Sequence, residues 1–367
     1  MIIRDFVKDS LTTFYANLKD IFLKKSEQVI LAGSGVNSAR MKGGTATGDD
    51  SFAEGRNTMA SERYSHAEGS TTTAKGDSSH AEGQNTTASE TASHAEGGNT
   101  TASGGFSHAE GSYTTASGTC SHAEGQGTTA SGSYSHAEGY HTSALTVYSH
   151  AEGVSTIASG ACSHAEGQYT IASGNFSHTE GYNTSALTIF SHAEGNGTTA
   201  SGSSSHAEGF NTTASEQNSH AEGNGTTASG QQSHAEGFGT TASGQQSHAE
   251  GLRTEASGAG SHAEGGDTTA SRFYSHAEGC CTATQNVSEH AEGQYNVSHS
   301  ATTTYGSSGN TQHSVGIGTD LNNRKNAFEI MQNGDIYIFG LGGYNGKNAA
   351  QTGVKTLQQI LTAAGLT

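Results

Sequence analysis

The chain has 367 residues, of which 52 are glycine, none is proline or tryptophan, and only 31% are hydrophobic. Its formal net charge of −18 at pH 7 excludes a nucleic-acid partner, because such a chain could not neutralise a phosphate backbone. No apolar run approaches the roughly 20 residues that span a bilayer, so membrane insertion is not expected. The N-terminus carries acidic and polar residues where a secretory signal would be apolar, so such a signal is not expected either.

The first predicted element is a helix between Leu11 and Phe22, which Ser10 can cap. Its apolar residues recur at spacings of four, three and four: Leu11, Tyr15, Leu18 and Phe22. This is helical periodicity, and it also forms a short coiled-coil seam. Two interpretations stay open, namely a helix that packs on its own domain and a helical collar that joins three chains. We assign residues 1–48 to an N-terminal helical attachment segment.

A 14-residue repeat fills residues 49–300. Histidine recurs every 14 residues from His66 to His290, seventeen times, and glutamate follows two positions later. Each copy reads S-H-A-E-G-x-x and then T-x-A-x-G-x-x, so each half offers a short alternating strand and a glycine-rich turn. Stacked repeats can bury a thin core although the hydrophobic content is low. We predict a mainly β fold in which each repeat is one coil of a parallel β-solenoid, or β-roll.

Alternation along each strand assigns the side chains to two faces. Ser65, Ala67 and Gly69 are predicted to line the cramped interior, while His66 and Glu68 point outward. A face in contact with solvent need not keep the same residues in every repeat, yet the outward His and Glu are almost invariant along the chain. A subunit interface would explain this, because histidine and glutamate columns of neighbouring copies can pair across it by charge-assisted hydrogen bonds. Unpaired carboxylates at strand spacing would repel one another.

We call this predicted interface the ladder. It comprises seventeen pairs: His66 and Glu68, His80 and Glu82, His94 and Glu96, His108 and Glu110, His122 and Glu124, His136 and Glu138, His150 and Glu152, His164 and Glu166, His178 and Glu180, His192 and Glu194, His206 and Glu208, His220 and Glu222, His234 and Glu236, His248 and Glu250, His262 and Glu264, His276 and Glu278, and His290 and Glu292. The first copy of the repeat has Phe52 in the histidine position.

Charged His–Glu pairs would raise the pKa of each histidine and lower the pKa of each glutamate. Folding would then be most stable in mildly acidic solution. A competing interpretation keeps every imidazole neutral, with desolvation opposing protonation.

Residues 301–367 are predicted to form a small α+β cap. "AFEIMQNGDIYIFG" alternates on both sides of Asn333-Gly334, which favours a β-hairpin with a type I′ turn. The segment from Thr352 to Leu361 has apolar residues on one helical face and is predicted to be a short helix, ended by Gly365. A cap of this kind protects the open edge of a solenoid from pairing with other chains.

The repeat resembles the head of the YadA-type trimeric autotransporter adhesins, which repeat S-V-A-I-G-x-x-A-x-A-x-G with the same period. His and Glu replace Val and Ile of that motif, as at His108 and Glu110, and "HSVGIG" at 313–318 restores the apolar version once. The resemblance covers roughly residues 50–300. It implies a left-handed parallel β-roll in a homotrimeric fibre.

The ends of the chain resemble bacteriophage and prophage tail-fibre proteins, in "LTTFYANLKDIFLKKSE" and "KNAFEIMQNGDIYIFGLGGYNG". That resemblance implies a virion or phage-like particle assembled in bacterial cytoplasm, with tail or baseplate proteins bound through the N-terminal segment. The distal partner would be a cell-surface receptor, for which a glycan is one candidate. A bacterial surface trimeric adhesin is the second interpretation, and an ice-binding or purely structural solenoid is the third.

The repeat does not predict an enzyme. Ser65 faces away from His66 and Glu68, so no nucleophile–base pair forms. Three chains would bring three imidazoles to each level, a possible zinc site, but each imidazole has a glutamate beside it and successive levels are too far apart to share an ion. The four cysteines follow no metal-site or disulfide spacing. We therefore expect no catalytic residues, no metal and no cofactor, and the sequence assigns no receptor-binding residues.

Aromatic side chains cluster at the predicted turns. They precede or follow the SHAEG strand at Phe106, Tyr134, Tyr140, Tyr148, Phe176, Tyr182, Phe190, Phe210 and Tyr274. Packing between turns of neighbouring chains and a stacking surface for glycans are both open interpretations.

Overall fold

The computed structural model describes residues 31–41, 43–300, 304–338, 355–356 and 361–362. They fall into two compact units, Met1–Ser155 and Thr156–Thr367. Almost all regular structure in these ranges is β, and helix occurs in them only at Leu361 and Thr362. The predicted N-terminal helix lies outside the described residues.

Long and short strands alternate along the described part of the first unit. The long strands are Phe52–Arg56, His66–Ser70, His80–Gln84, His94–Gly98, His108–Ser112, His122–Gln126, His136–Tyr140 and His150–Val154. The short strands are Thr45–Ala46, Met59–Ala60, Thr73–Ala74, Thr87–Ala88, Thr101–Ala102, Thr115–Ala116, Thr129–Ala130 and Ser143–Ala144. Two further strands, Leu31–Ala32 and Ala39–Arg40, precede them.

The second unit continues the same alternation in its described part. Its long strands are His164–Gln168, His178–Tyr182, His192–Asn196, His206–Phe210, His220–Asn224, His234–Phe238, His248–Leu252, His262–Gly266, His276–Cys280 and His290–Gln294. Its short strands are Ile157–Ala158, Ile171–Ala172, Ser185–Ala186, Thr199–Ala200, Thr213–Ala214, Thr227–Ala228, Thr241–Ala242, Glu255–Ala256, Thr269–Ala270 and Ala283–Thr284. The tip strands are Thr311–Ile317, Asn326–Met331, Ile336–Ile338 and Lys355–Thr356.

Successive coils pair in parallel and in register. His122 lies opposite His136 and Glu124 opposite Glu138, while on the short strands Thr129 lies opposite Ser143. Because the repeat has no insertions, each position of the repeat forms a column within a unit. The predicted parallel β-solenoid is confirmed in both units.

Parallel pairing begins before residue 49, where the sequence placed the start of the β-roll. Ala39–Arg40 already pairs in parallel with Phe52–Ala53, and Thr45–Ala46 pairs with Met59–Ala60. Leu31–Ala32 then pairs with Ala39–Arg40 in the antiparallel sense. This antiparallel strand covers the first edge of the solenoid, where exposed backbone groups would otherwise recruit another chain.

The interior of the coils before Glu289 holds small side chains. In the coil that begins at Ser135, that residue, Ala137, Thr142 and Ala144 are all buried. In many coils the serine hydroxyl donates to the carbonyl oxygen three residues earlier, as Ser135 does to Gly132 at 2.6 Å, and so stabilises the turn. The core is therefore thin, as the composition requires, and is built from Ser, Thr and Ala columns.

The glycine of SHAEG does not line the interior. Gly69 is exposed, so its predicted place beside Ser65 and Ala67 is wrong. Its φ of +108° takes the backbone out of the strand alternation. A Cβ there would overlap the carbonyl oxygen of Gly83 in the next coil. Glycine is needed for close backbone approach between coils, not for a small interior.

Most interior threonine hydroxyls lack a hydrogen-bond partner among the described residues. Thr128 is fully buried, and its Oγ1 has no hydrogen-bond partner among the described residues. Thr128→Val keeps the shape and removes a desolvated polar group, so the free energy of unfolding should rise by up to about 1 kcal/mol. The outward neighbour offers a matched control, since Thr129→Val should change it by less than about 0.5 kcal/mol. Urea denaturation compares them, and a loss in Thr128→Val would mean that the hydroxyl is satisfied.

The tip begins with one more parallel coil. Thr311–Ile317 pairs with the last long strand so that His313 lies opposite His290 and Val315 opposite Glu292. Asn326–Met331 then pairs with Thr311–Ile317 in the antiparallel sense, which ends the parallel stack.

The predicted hairpin is confirmed, but its turn type is wrong. Ile330 lies opposite Ile336 in an antiparallel pair. Of the two central residues predicted for a type I′ turn, only Gly334 has a positive φ, at +91°. Met331 N–H donates to the carbonyl oxygen of Asp335, and Gly334 N–H donates to that of Met331. The loop is thus longer than two residues, with glycine supplying the left-handed position.

The helix predicted from Thr352 to Leu361 is wrong at two positions. Lys355 and Thr356 form a strand that pairs with Ile338 and Tyr337. The open edge of the hairpin carries unpaired backbone groups. A strand can pair with them, whereas a short helix at the same place would leave them unpaired. Residues 352–354 and 357–360 lie outside the described residues, and Leu361 is helical.

Candidate functional site

The ladder occupies the outward face of the long strands, as predicted. Within each strand His and Glu are separated by one buried residue, which is alanine except at Thr179, so both side chains leave the same face. In the single chain the histidine side chains are 34–40% exposed and those of the glutamates 32–52%. The pair is therefore half-buried against its own column before any partner is added.

The imidazole rings of each unit form a continuous stack. Ring centroids of successive coils lie 4.7–4.9 Å apart in the first unit, with interplanar angles of 2–23°. In the second unit the spacing is 4.6–4.9 Å, and His313 of the tip extends the stack beyond His290. His313 stands 23 positions after His290 instead of 14. It therefore falls outside the sequence repeat, and the repeat did not predict it as part of the stack.

Each imidazole lies near a carboxylate without a short hydrogen bond to it. Within a strand the distance from His Nε2 to Glu Oε2 is 3.4–4.0 Å. This is longer than a normal N–H···O bond. The nitrogen is buried and has no hydrogen-bond partner among the described residues at His94, His122 and His206. With His150 and His164 set aside, the ladder histidines of the described ranges thus present columns of polar nitrogens that have no hydrogen-bond partner.

At the end of the second unit the ladder carboxylates also approach the histidine of the next coil. The Glu278 carboxylate lies between two coils, with Oε2 3.9 Å from His276 Nε2 and Oε1 3.6 Å from His290 Nε2. Glu292 Oε1 in turn lies 3.4 Å from His313 Nε2. A ladder carboxylate can therefore serve two histidines that belong to successive coils.

The pKa of eleven ladder histidines is lowered, which contradicts the prediction from charged pairs. Burial of the ring is the largest cause, the charge of a neighbouring histidine is the second, and the glutamates oppose both more weakly. The lowered pKa values belong to His80, His94, His108, His136, His192, His206, His220, His234, His248, His262 and His276. Burial also raises the pKa of the Glu68 carboxyl, helped by its hydrogen bond with Glu54. Like groups stacked in register favour the neutral form of each.

The ladder offers ligand sets for a metal ion. A carboxylate oxygen and the nitrogens of two successive histidines lie within 4.8 Å of one another in groups that include His66, Glu68 and His80. The serine before each histidine cannot act as a nucleophile beside it. Ser65, for example, is buried on the opposite face and donates to the carbonyl oxygen of Glu62 at 2.6 Å. The arrangement suits binding and assembly and supplies no nucleophile to the imidazoles.

The predicted turn aromatics are exposed and partly stacked. Tyr134 and Tyr148 stack at 5.1 Å in the first unit, and Phe176 and Phe190 stack at 5.3 Å in the second. All four residues have positive φ, which places their side chains at the corner of each coil. Such rings present apolar surface away from the ladder.

Two buried carboxylates at the tip were missed by sequence reasoning. Glu289 occupies the interior serine position of the last full repeat, and burial raises its pKa to about 7. Its Oε2 accepts hydrogen bonds from the backbone of Gln285 and Asn286 and from the hydroxyl of Ser298. The change from Ser to Glu at this interior position was the available signal.

The second buried carboxylate, Glu329, comes from a tip strand. Its Oε1 lies 2.7 Å from His299 Nδ1 and accepts a hydrogen bond from Thr311 Oγ1 at 2.6 Å. The hydrogen bond with Glu329 raises the pKa of His299. These contacts fix the tip strands to the last coil.

Comparison with known proteins identifies the repeat. No helix in the described ranges is long and apolar enough to cross a membrane. A search of curated proteins finds no match. The family model for the YadA head domain repeat matches residues 95–119, 123–145, 151–177, 165–187 and 235–254. These matches and the parallel coils that the residues form show that the chain carries a YadA-like head β-roll, the structural repeat of trimeric autotransporter-type adhesins.

Proposed function

We propose that the chain is a structural and adhesive fibre protein that works as a homotrimer, with the ladder at the interface between subunits. The observation that carries this proposal is the column of buried, unsatisfied imidazole nitrogens on an otherwise outward face. Buried polar groups in native proteins are nearly always hydrogen-bonded. Neighbouring copies of the chain would supply partners at these coils once the rings turn toward them, because all copies share the same spacing.

The uniformity of the ladder supports the same interface. On the short strands, where nothing is required of the outward face, Ile157, Ile171 and Glu255 replace the usual threonine. Among the ladder pairs no such exchange occurs. YadA-type heads form trimers, and a three-fold arrangement in register would place identical residues at the same height in each subunit.

A paired substitution tests the interface. His178→Val together with Glu180→Ile gives one coil the apolar version of the motif, which a dry interface should tolerate or prefer. His178→Val alone should melt at a lower temperature, because it leaves the Glu180 carboxylate without its neighbour. Thermal melts of both variants and of the unchanged chain decide the matter. A single variant that melts above the double variant would contradict pairing at the interface.

The location of the fibre has two candidates. The repeat family favours the surface of a bacterial cell. The resemblance of the chain ends to tail-fibre proteins favours a phage-like particle, with tail or baseplate proteins at the N-terminal segment and a cell-surface receptor, such as a glycan, as the distal partner. Immunogold electron microscopy with an antibody against the β-roll separates them. Label on the cell envelope supports the adhesin, label on particle tails supports the tail fibre, and label confined to the cell interior contradicts both.

A further inference from the structure

We propose that the ladder binds divalent transition-metal ions of the Zn²⁺ class. Each site uses the Nε2 atoms of two histidines from successive coils and one carboxylate oxygen of the glutamate beside them. Such groups include His66, Glu68 and His80 at one end of the first unit and His248, Glu250 and His262 in the second. This inference goes beyond the proposed function and does not depend on the trimer.

The first two ligands are already at chelating distance in two of the groups. His248 Nε2 lies 3.4 Å from Glu250 Oε2, and His94 Nε2 lies 3.5 Å from Glu96 Oε2. Zinc bonds of about 2.0–2.2 Å at a tetrahedral angle separate two ligand atoms by roughly 3.4 Å. The separation of the two atoms in one strand therefore matches that of two ligands on one tetrahedral ion. In the sequence the glutamate beside each imidazole counted against metal because it was treated as a hydrogen-bond partner, whereas at these distances it can be a second ligand.

The third ligand needs a small movement. The ligand atoms of each group lie within 4.8 Å of one another, so the second imidazole must approach by roughly 1 Å through rotation of its ring. About a third of each ladder ring is exposed, which leaves room for that rotation. Coordination would break no hydrogen bond, because Nε2 of His248 and of His262 has none among the described residues. The remaining positions on the ion face outward, toward water or a second chain.

The donor set selects the kind of ion. Two imidazoles and one carboxylate form a zinc site that keeps an open position, and imidazole also suits Co²⁺ and Ni²⁺. Mg²⁺ prefers oxygen ligands in octahedral geometry and should not compete. The site is therefore selective between metals even though all its side chains are partly exposed.

Because neighbouring groups share histidines, their overlap limits how many ions one chain can bind. The four groups between His66 and His122 share their inner histidines, and each imidazole offers one Nε2 atom to an ion. Only two of these four groups can be filled at once. With the separate group at His248, the chain should bind at least three ions.

Zinc titration of the full chain, first stripped with a chelator, tests the proposal. Isothermal titration calorimetry should give at least three Zn²⁺ per chain and no heat of binding for Mg²⁺. The double variant His80→Gln, His108→Gln removes a histidine from all four groups between His66 and His122 and should lose two ions. His141→Gln, which changes an exposed turn histidine, is the matched control and should lose none. Equal zinc binding by the double variant and the unchanged chain would overturn the proposal.

Two glutamate substitutions, compared with each other, give a second test that leaves the histidine stack intact. Glu250→Gln should lose one ion, whereas Glu255→Gln removes the same charge from the short strand of the same coil and should lose none. Co²⁺ absorption in the visible region should report a low-coordinate site that is weakened only by Glu250→Gln. Light scattering on the same samples separates the two proposals. A trimer that binds no zinc contradicts the metal site alone, and a zinc-binding monomer contradicts the trimer alone.

Discussion

Gly97→Ala should destabilise the β-roll strongly, while Gly98→Ala, one residue later, should leave it almost unchanged. Gly97 has a φ of +100°, and an added Cβ would overlap the carbonyl oxygen of Gly111 and lie 3.0 Å from its carbonyl carbon. Both atoms belong to the backbone of the next coil, so neither can rotate away. Unfavourable φ and overpacking together should lower the free energy of unfolding by about 2–5 kcal/mol.

The neighbouring glycine is the control for this prediction. An added Cβ at Gly98 meets nothing within 4 Å, and its φ is not in the left-handed region. Urea denaturation followed by circular dichroism measures both variants. Equal stability of the two would show that successive coils can separate enough to accept a side chain, and the close stacking of the long strands would be wrong.

Acidification of the metal-free chain should destabilise it as pH falls below about 6.5, the ordinary pKa of histidine. Eleven ladder histidines have a lowered pKa in the folded state, because burial and neighbouring histidines disfavour the charged ring. The unfolded chain then binds more protons than the folded chain. Stability is therefore complete above about pH 6.5 and is lost as pH falls through the unfolded and then the folded pKa.

Three groups act in the opposite direction. The pKa of Glu289 is raised to about 7, and the pKa values of Glu68 and His299 are also raised, so their contributions are complete at low pH and are lost as pH rises. Three groups do not offset eleven imidazoles. Melting temperatures measured in a chelator from pH 4 to pH 9 should fall on the acid side of pH 6.5. A maximum in mildly acidic solution would instead restore the charged-pair model.

The periodic part of the fold was predictable because identical repeats must adopt identical structures. Strict spacing of His122 and His136 fixed the parallel register, and alternation correctly placed Ser135 and Ala137 inside. Alternation failed at Gly69, since a residue with positive φ leaves the strand geometry on which the argument depends.

The electrostatics of the ladder were harder to predict. Sequence spacing brought His and Glu together, but it did not show that stacked rings desolvate one another more than the adjacent carboxylates stabilise them. The buried contacts of the tip were also not predicted, because they do not follow the repeat. Glu329 and His299 are 30 residues apart and meet only after the tip strands fold back.

The mass of the full chain in solution tests the central claim, that the ladder is a subunit interface. Multi-angle light scattering should give three times the chain mass of 37.4 kDa at micromolar concentration, both in a chelator and with zinc. Replacing several ladder histidines in one unit should shift this value toward that of a single chain. A mass of 37.4 kDa for the unchanged protein would contradict the account.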